Sequence, residues 1–562
     1  MKTLIVGGVA GGASAAARLR RLDEQAEIIM FERGEYISFA NCGLPYYIGG
    51  EITKKSALTL QTPQSFHDRF NIDVRVNSEV TAIDPQAKTV TVVPQDGEPY
   101  TETYDKLILS PGAAPLVPPF EGAKGPRVFT LRNIPDTMKI KEYIEEEFPE
   151  SAVVIGGGYI GVEMAENLKK AGLKVTIVEM ADHLIAPLDY DMACEVHRYL
   201  RDQGVTVMLE NGVEAIREEG EKLSLQLSGG TVEADMVILS VGVRPDTALA
   251  KQAGLALNTR GCIIVDEHMQ TSAADIYAVG DAVEITDLVT QNKGFVPLAG
   301  PANKQGRIAA DNICGIPSAY QKTQGSSVLK IFDMTVAMTG VNERTAKAAG
   351  LAYEKVYTYS NSHAAYYPGG HGISIKTLYE KETGKILGAQ LVGYDGVDKR
   401  CDVLAVAVRA GLTAKDLTEL ELCYAPPFGS AKDPVNFVGY VIENIRNGLV
   451  KNFYWDDVKD LPRDGSVTLL DVRKPAEREK GSIEGFRSIP LDELRGRAVE
   501  LDRTKPVYIH CHSGLRSYLA CRMLTGMGFD CYNLSGGWRF YEIAVNNRSV
   551  PQQSCYGPAE NK

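Results

Sequence analysis

None of the ten cysteines in this chain forms a Cys-x-x-Cys pair, so neither a zinc cluster nor a disulfide scaffold is expected. No apolar run approaches the roughly 20 residues needed to span a bilayer. No signal peptide precedes the strand-like Thr3-Leu4-Ile5-Val6, so a cytoplasmic, reducing location away from membranes is expected. Basic charge is in short supply. Sixty Lys and Arg stand against 72 Asp and Glu, a net charge of -12, which argues against a general nucleic-acid binder but leaves room for a local basic patch. No solenoid repeat or low-complexity tract is present. What is present is ordinary globular composition, 44% apolar and 23% charged over 562 residues, too long for one core and suggesting about three or four domains.

Two segments carry the strand–glycine loop–helix–strand pattern of a dinucleotide site. In the first, Thr3 to Val6 leads into Gly7-Gly8-Val9-Ala10-Gly11-Gly12, a small-residue helix, and the strand Glu27 to Phe31 ending at Glu32. Glycines let the backbone approach a pyrophosphate at the helix N-terminus, and Glu32 can accept from a ribose. Val9 replaces the middle glycine of the motif. In the second, Ala152 to Ile155 leads into Gly156-Gly157-Gly158-Tyr159-Ile160-Gly161, and a strand ends at Glu179. Two units mean two dinucleotides. Glu179 repels a 2′-phosphate, so NADH is expected over NADPH. Tyr104 to Ala113 reads as a strand and turn returning to the first sheet. Arg33 and Gly242 complete the expected cofactor-binding set.

Cys42 lies ten residues beyond Glu32, within Ser38-Phe39-Ala40-Asn41-Cys42-Gly43-Leu44-Pro45-Tyr46-Tyr47. Position 47, where a second redox cysteine stands in disulfide reductases with a Cys-x-x-x-x-Cys motif, is tyrosine. A lone sulfur must cycle through a mixed disulfide, a persulfide or an oxidised acid. A nearby helix N-terminus and loop amides are expected to lower its pKa. Ser14, Arg18 and Arg21 share one stripe of the first helix, and two guanidiniums there suit phosphates. Near the far end, Val507 to His510 reads as a strand delivering Cys511 to a loop closed by Arg516. Its amides can cradle a terminal persulfide anion. No metal site is expected.

On the segments Ser38 to Tyr46, Tyr424-Ala425-Pro426-Pro427, Ala431 to Asn436 and the Cys511 loop, the chain resembles the coenzyme A-disulfide reductases fused to a rhodanese domain. That group includes enzymes described as NADH-dependent persulfide or polysulfide reductases. The resemblance implies Cys42 as redox centre, with coenzyme A bound by Ser14, Arg18, Arg21, Ser38, Asn41 and Lys432. Asp281, in a second FAD motif from Ile276, is implied to bond the ribityl chain. Tyr367 and Tyr424 are implied to act across a homodimer, donating to the leaving sulfur. Related peroxidases and oxidases carry a histidine at the place of Ala10, which weakens that reading. The Cys511 loop has four residues before Arg516, one fewer than a phosphotyrosine-type phosphatase. With Asp471, Arg473 and Gly536-Gly537-Trp538 it looks like a rhodanese. His512 replaces the arginine often found after the cysteine, which puts thiosulfate in doubt as donor. Cys521, Cys531 and Cys555 read as packing or surface thiols.

The expected fold is α/β: two Rossmann-like domains (FAD and NAD), an α+β dimerisation domain and a C-terminal α/β rhodanese domain. Expected boundaries are 1–115 and 246–325 for FAD, 116–245 for NAD, 326–447 for dimerisation, 448–460 as linker, 461–550 for rhodanese and 551–562 as tail. The expected function is an NADH:persulfide or polysulfide reductase using FAD and coenzyme A, with Cys511 exchanging sulfane sulfur. The alternatives are a coenzyme A-disulfide reductase maintaining thiol pools, an NADH oxidase or peroxidase, and a sulfur-carrier or redox-sensing protein.

Overall fold

The computed structural model describes residues 1–549, so the end of the expected rhodanese span, the tail and Cys555 lie outside the described residues. The chain divides into two compact units. Among the described residues, one contains 1–180 and 210–325, the other 181–209 and 326–549.

In the first unit, parallel strands run side by side in the order Ile276–Ala278, Lys106–Leu109, Lys2–Val6, Glu27–Phe31 and Asp73–Arg75. Their near-continuous apolar runs follow from burial on both faces. Leu4, Ile29, Phe31, Leu107 and Leu109 pack on one side, and Ile5, Ile28, Met30 and Ile108 on the other. A second parallel set runs Lys174–Val178, Ser151–Ile155, Met236–Leu239 and Val128–Thr130. In the chain it lies between the two stretches that build the first sheet. Residues 181–209, expected within that domain, instead cluster with the second unit.

The second unit holds a five-stranded antiparallel sheet in the order Ser327–Ile331, Met334–Gly340, Ile386–Gly393, Gly372–Glu380 and Tyr353–Asn361. It also holds a parallel sheet in the order Lys451–Phe453, Cys531–Leu534, Val507–His510, Thr468–Asp471 and Arg487–Ser488. The stretch 448–460 was expected to be a linker. Its residues Lys451–Phe453 form the edge strand of this sheet, so the connection is part of the C-terminal domain.

Lys376 is the electrostatic centre of this unit. It is fully buried and its Nζ lies 2.9 Å from Asp189, 2.9 Å from Asp191 and 2.6 Å from Glu343. Tyr357 donates to Asp191, as does Trp455 Nε1 at 3.2 Å. Burial alone raises the carboxyl pKa values of Asp191 and Glu343, but Lys376 overrides it and holds both below the usual range. Removing one partner from a buried charge set costs about 3–5 kcal/mol because the remaining charges stay buried. Lys376→Ala is therefore expected to lower the thermal unfolding midpoint strongly at pH 7. The depressed carboxylates contribute stability above their unfolded pKa values and lose it on acidification, so the gap between parent and variant should narrow at acidic pH. Equal midpoints at pH 7 would count against this network as a stabilising element.

Candidate functional site

The two glycine loops fold alike. Gly7 and Gly156 sit at φ +98° and +102°, and a Cβ on Gly12 or Gly161 would lie 1.9 Å from the Gly7 or Gly156 carbonyl oxygen. Only glycine permits that contact between strand end and helix. At Gly158 an added Cβ would meet nothing within 4 Å, so the loop fronts open space where a pyrophosphate fits. Val9 occupies the matching place in the first loop. Gly11 is less tolerant, because a Cβ there would lie 2.9 Å from Ser110 and Val279 side-chain atoms. Glu32 accepts from Gly8 N at 3.0 Å, and Glu179 from Gly157 N at 2.6 Å, so both carboxylates stand beside their loops. Tyr159 and Ile160 open the second helix, Tyr159–Lys170. Gly242 has φ +107°, and Arg33 pairs with Asp246 at 2.9 Å. These residues fit an FAD site and an NAD site.

Cys42 lies in a short 3-10 turn, Asn41–Gly43, ahead of the helix Leu44–Ile48. Its side chain is exposed, whereas Tyr47, in the place of a second cysteine, is buried. The expected lowering of the Cys42 pKa is not found. Partial burial comes first and the carboxylates of Glu163 and Asp281 second, and together they push it up. A single 3-10 turn offers too little dipole to compete with two carboxylates. Glu163 projects from the helix after the second glycine loop and accepts from the Tyr46 hydroxyl at 3.3 Å. Burial raises its carboxyl pKa to about 7, with Glu166 adding to the shift and the Tyr46 hydrogen bond opposing it. No sequence motif pointed to Glu163. Its place one helical turn beyond Tyr159 is the only signal that could have found it.

The expected coenzyme A stripe is largely engaged within the protein. Ser14 donates to Asn303 at 2.6 Å and Arg18 Nε to Asp311 at 2.7 Å, both on the helix Ala299–Ile313. Arg21 and Lys432 are exposed. Ser38 holds a left-handed backbone, φ 43°, with its N–H on the Gly8 carbonyl at 2.8 Å. Asn41 pairs with the Phe39 carbonyl and with Arg132 Nη1, both at 3.2 Å, once its amide is oriented to match them. Arg132, absent from the sequence reading, also lies within 2.7 Å of where a Gly112 Cβ would stand and draws down the Asp281 pKa that burial raises. In the second unit, Tyr424 pairs with Tyr366 rather than Tyr367, hydroxyl to hydroxyl at 2.9 Å. The Tyr367 ring packs against His363 at 5.6 Å.

Cys511 is buried at the end of the strand Val507–His510. Its Sγ accepts from Gly514 N at 3.1 Å and Ser517 Oγ at 3.3 Å. Arg516 forms a two-pronged pair with Glu477, Nη1 at 2.7 Å and Nη2 at 2.6 Å. Arg473 is buried on Asp471, the Gly481 carbonyl and the Trp538 ring. Cys521 and Cys531 are buried in the core beside the loop.

A family model described as pyridine nucleotide-disulphide oxidoreductase matches residues 1–306, that family's dimerisation domain matches 326–434, and a rhodanese-like domain matches 455–543. The chain belongs to the pyridine nucleotide-disulphide oxidoreductases and carries a C-terminal rhodanese-like domain. The reduced Bacillus anthracis CoADR-RHD is 51% identical, with TM-score 0.95 over 97% of this chain and 98% of that one. A NAD-dependent persulfide reductase from A. fulgidus is 40% identical, with TM-score 0.91 over 96% and 100%. Among sequence relatives, a coenzyme A disulfide reductase of Staphylococcus aureus is 36% identical over 78% of this chain and 99% of its own length. An NADH oxidase of Methanocaldococcus jannaschii is also 36% identical, over 78% and 97%.

Burial first and the Glu163 carboxylate second raise the Cys42 thiol, and burial pushes Glu163 itself up to about 7. Glu163→Gln removes that charge, so the Cys42 thiolate fraction rises at pH 7.5 and above. Alkylation of Cys42 by iodoacetamide, followed by peptide mass, should be about threefold faster in the variant there and equal to the parent near pH 5.5. A rate unchanged at every pH would contradict the coupling.

Proposed function

We propose that this chain is an NADH-dependent reductase of coenzyme A persulfide, coenzyme A disulfide and polysulfide that works through Cys42 alone and is coupled to sulfur transfer at Cys511. The observation that carries this reading is the exposed Cys42 opposite a buried Tyr47. With no second thiol in the motif, Cys42 cannot form an internal disulfide there, which favours a substrate that brings its own sulfur.

FAD, which the first glycine loop, Glu32 and Asp281 fit, supplies the two-electron relay from NADH when bound. Cys42 Sγ attacks the inner sulfur of a persulfide RS–SH, forming the mixed disulfide with R and releasing HS⁻. Two electrons from NADH then return the Cys42 thiolate and free RSH. The sum is NADH + H⁺ + RS–SH giving NAD⁺ + RSH + H₂S. Glu163 holds a proton in the neutral range within electrostatic reach of Cys42. Arg21, Ser38, Asn41 and Lys432, with Ser14 and Arg18 at the base of the stripe, are assigned to coenzyme A. The dimerisation domain supports a homodimer, and the Tyr366–Tyr424 pair with Tyr367 is assigned to the active site of the opposite subunit, where a phenol protonates the leaving sulfur. At Cys511 the loop amides hold a terminal sulfane sulfur.

An NADH oxidase is the second reading, favoured by the Methanocaldococcus jannaschii relative. Ala10 places a methyl group where the oxidase reading expects an imidazole. NADH oxidation under anaerobic conditions separates the two. With coenzyme A persulfide, coenzyme A disulfide or polysulfide, the parent chain should turn over and Cys42→Ser should lose at least about a thousandfold, the scale of removing a nucleophile. Turnover only when oxygen is admitted would reverse the order of the two readings.

A further inference from the structure

Among the described residues, the arginine that closes the Cys511 loop is paired with a carboxylate. Arg516, the one guanidinium that closes the loop, gives both terminal nitrogens to the Glu477 carboxylate, at 2.7 and 2.6 Å. Two parallel charge-assisted hydrogen bonds are the strongest form of that contact. Glu477 is itself anchored, since its Oε2 accepts from Lys474 N at 3.0 Å at the start of the short helix Pro475–Arg478. The Arg516 hydrogen bonds, first, hold its carboxyl down at about 2, so it is anionic at any working pH.

The other arginines and the histidines around the loop are committed or neutral. Arg473 is buried on Asp471 and on the Trp538 ring. Arg478 reaches the Phe486 carbonyl and lies 3.5 Å from Asp471. Arg539 is held by Glu195, by Ser374 and by the Tyr359 ring. Burial lowers His510 to about 4. Partial burial first and Arg539 second also lower His512, so both imidazoles are neutral near pH 7. What remains for an incoming sulfur donor is the set of loop dipoles that already reaches Cys511 Sγ, the Gly514 N–H and the Ser517 hydroxyl.

We propose that Glu477 sets the donor specificity of the Cys511 site: by occupying Arg516 it selects donors carrying at most one negative charge at the reacting end, alkyl persulfides, and rejects the dianion thiosulfate. The inference deepens the function proposed above, because coenzyme A persulfide presents a neutral pantetheine arm and a single sulfane terminus. With a persulfide, Cys511–S⁻ attacks the outer sulfur of RS–SH, the RS–S bond breaks, and the products are Cys511–S–SH and RS⁻. With thiosulfate the same attack yields Cys511–S–S⁻ and sulfite, and the leaving group departs with two negative charges. A sulfonate entering a loop whose arginine is already neutralised loses water without gaining a counter-charge. Glu477 touches neither donor nor Cys511; it is a positioning residue acting through Arg516.

The test uses the full chain and cyanide as sulfur acceptor, which needs neither NADH nor Cys42. Thiocyanate formation is measured with glutathione persulfide and with thiosulfate, in the parent and in Glu477→Gln. The parent should have the higher kcat/KM with the persulfide. Glu477→Gln should raise the thiosulfate-to-persulfide ratio roughly tenfold, the scale of one charge-assisted contact set free, mainly through a lower KM for thiosulfate. NADH-dependent reduction of coenzyme A disulfide by the same preparation reports that the variant is folded. Arg516→Ala in the Glu477→Gln background should abolish the gain. An unchanged ratio in a folded variant overturns the inference and leaves the Cys42 reductase standing. No thiocyanate from the parent with either donor overturns the reading of Cys511 and this inference together.

Discussion

The Gly12 Cα stands so near the Gly7 carbonyl oxygen that a methyl group would lie 1.9 Å from it, and Gly161 repeats that contact with Gly156 at the same distance. This close approach seats each helix N-terminus against its strand end. Glu32 and Glu179 stand beside the two loops, accepting from Gly8 N and Gly157 N. Two contacts tie the Cys42 region to those loops. Ser38 hangs on the Gly8 carbonyl, and the turn that carries Cys42 follows three residues later. Glu163 descends from the second loop on its own helix and meets Tyr46, four residues past Cys42. The thiol therefore stands where elements of both dinucleotide folds converge.

The second unit poses a different physical problem. Its parallel sheet delivers Cys511 to a loop in which dipoles, not free cations, face the sulfur. The same unit keeps its charges deep inside, with Lys376 among three carboxylates and Arg473 against Asp471. Buried pairs of this kind gain little over an apolar replacement but are costly to break once one partner is removed. Arg539 illustrates the economy of the arrangement. Its backbone N–H supports the loop through the His512 carbonyl, while its guanidinium is held by Glu195.

Much of this was legible in the sequence. The glycine loops, the paired acidic strand ends and the alternation of strand and helix depend on local rules, and local rules survive in a one-dimensional pattern. The lone Cys42 and the Cys511-to-Arg516 spacing belong to the same class. What the sequence hid was long-range. Glu163 is 121 positions from Cys42, Arg132 is 91 from Asn41, and Glu477 is 39 from Arg516, so no periodicity or spacing joins them. Partial burial first, and the distant carboxylates of Glu163 and Asp281 second, raise the Cys42 thiol, and neither cause shows in the local dipole of the neighbouring turn. Within the expected linker 448–460, the edge strand Lys451–Phe453 is only three residues long and carries no alternation to recognise. Tyr366 and Tyr367 are adjacent, and only the fold decides which one faces Tyr424.

The central claim is that a single sulfur at position 42 becomes covalently joined to the substrate. Peptide mass analysis after mixing the reduced chain with coenzyme A disulfide in the absence of NADH tests this directly. A coenzyme A adduct on the Cys42 peptide, formed at about one per chain and removed when NADH is added, is the result expected. An adduct confined to other cysteines, or NADH-dependent turnover of coenzyme A disulfide with Cys42 unmodified throughout, would contradict it.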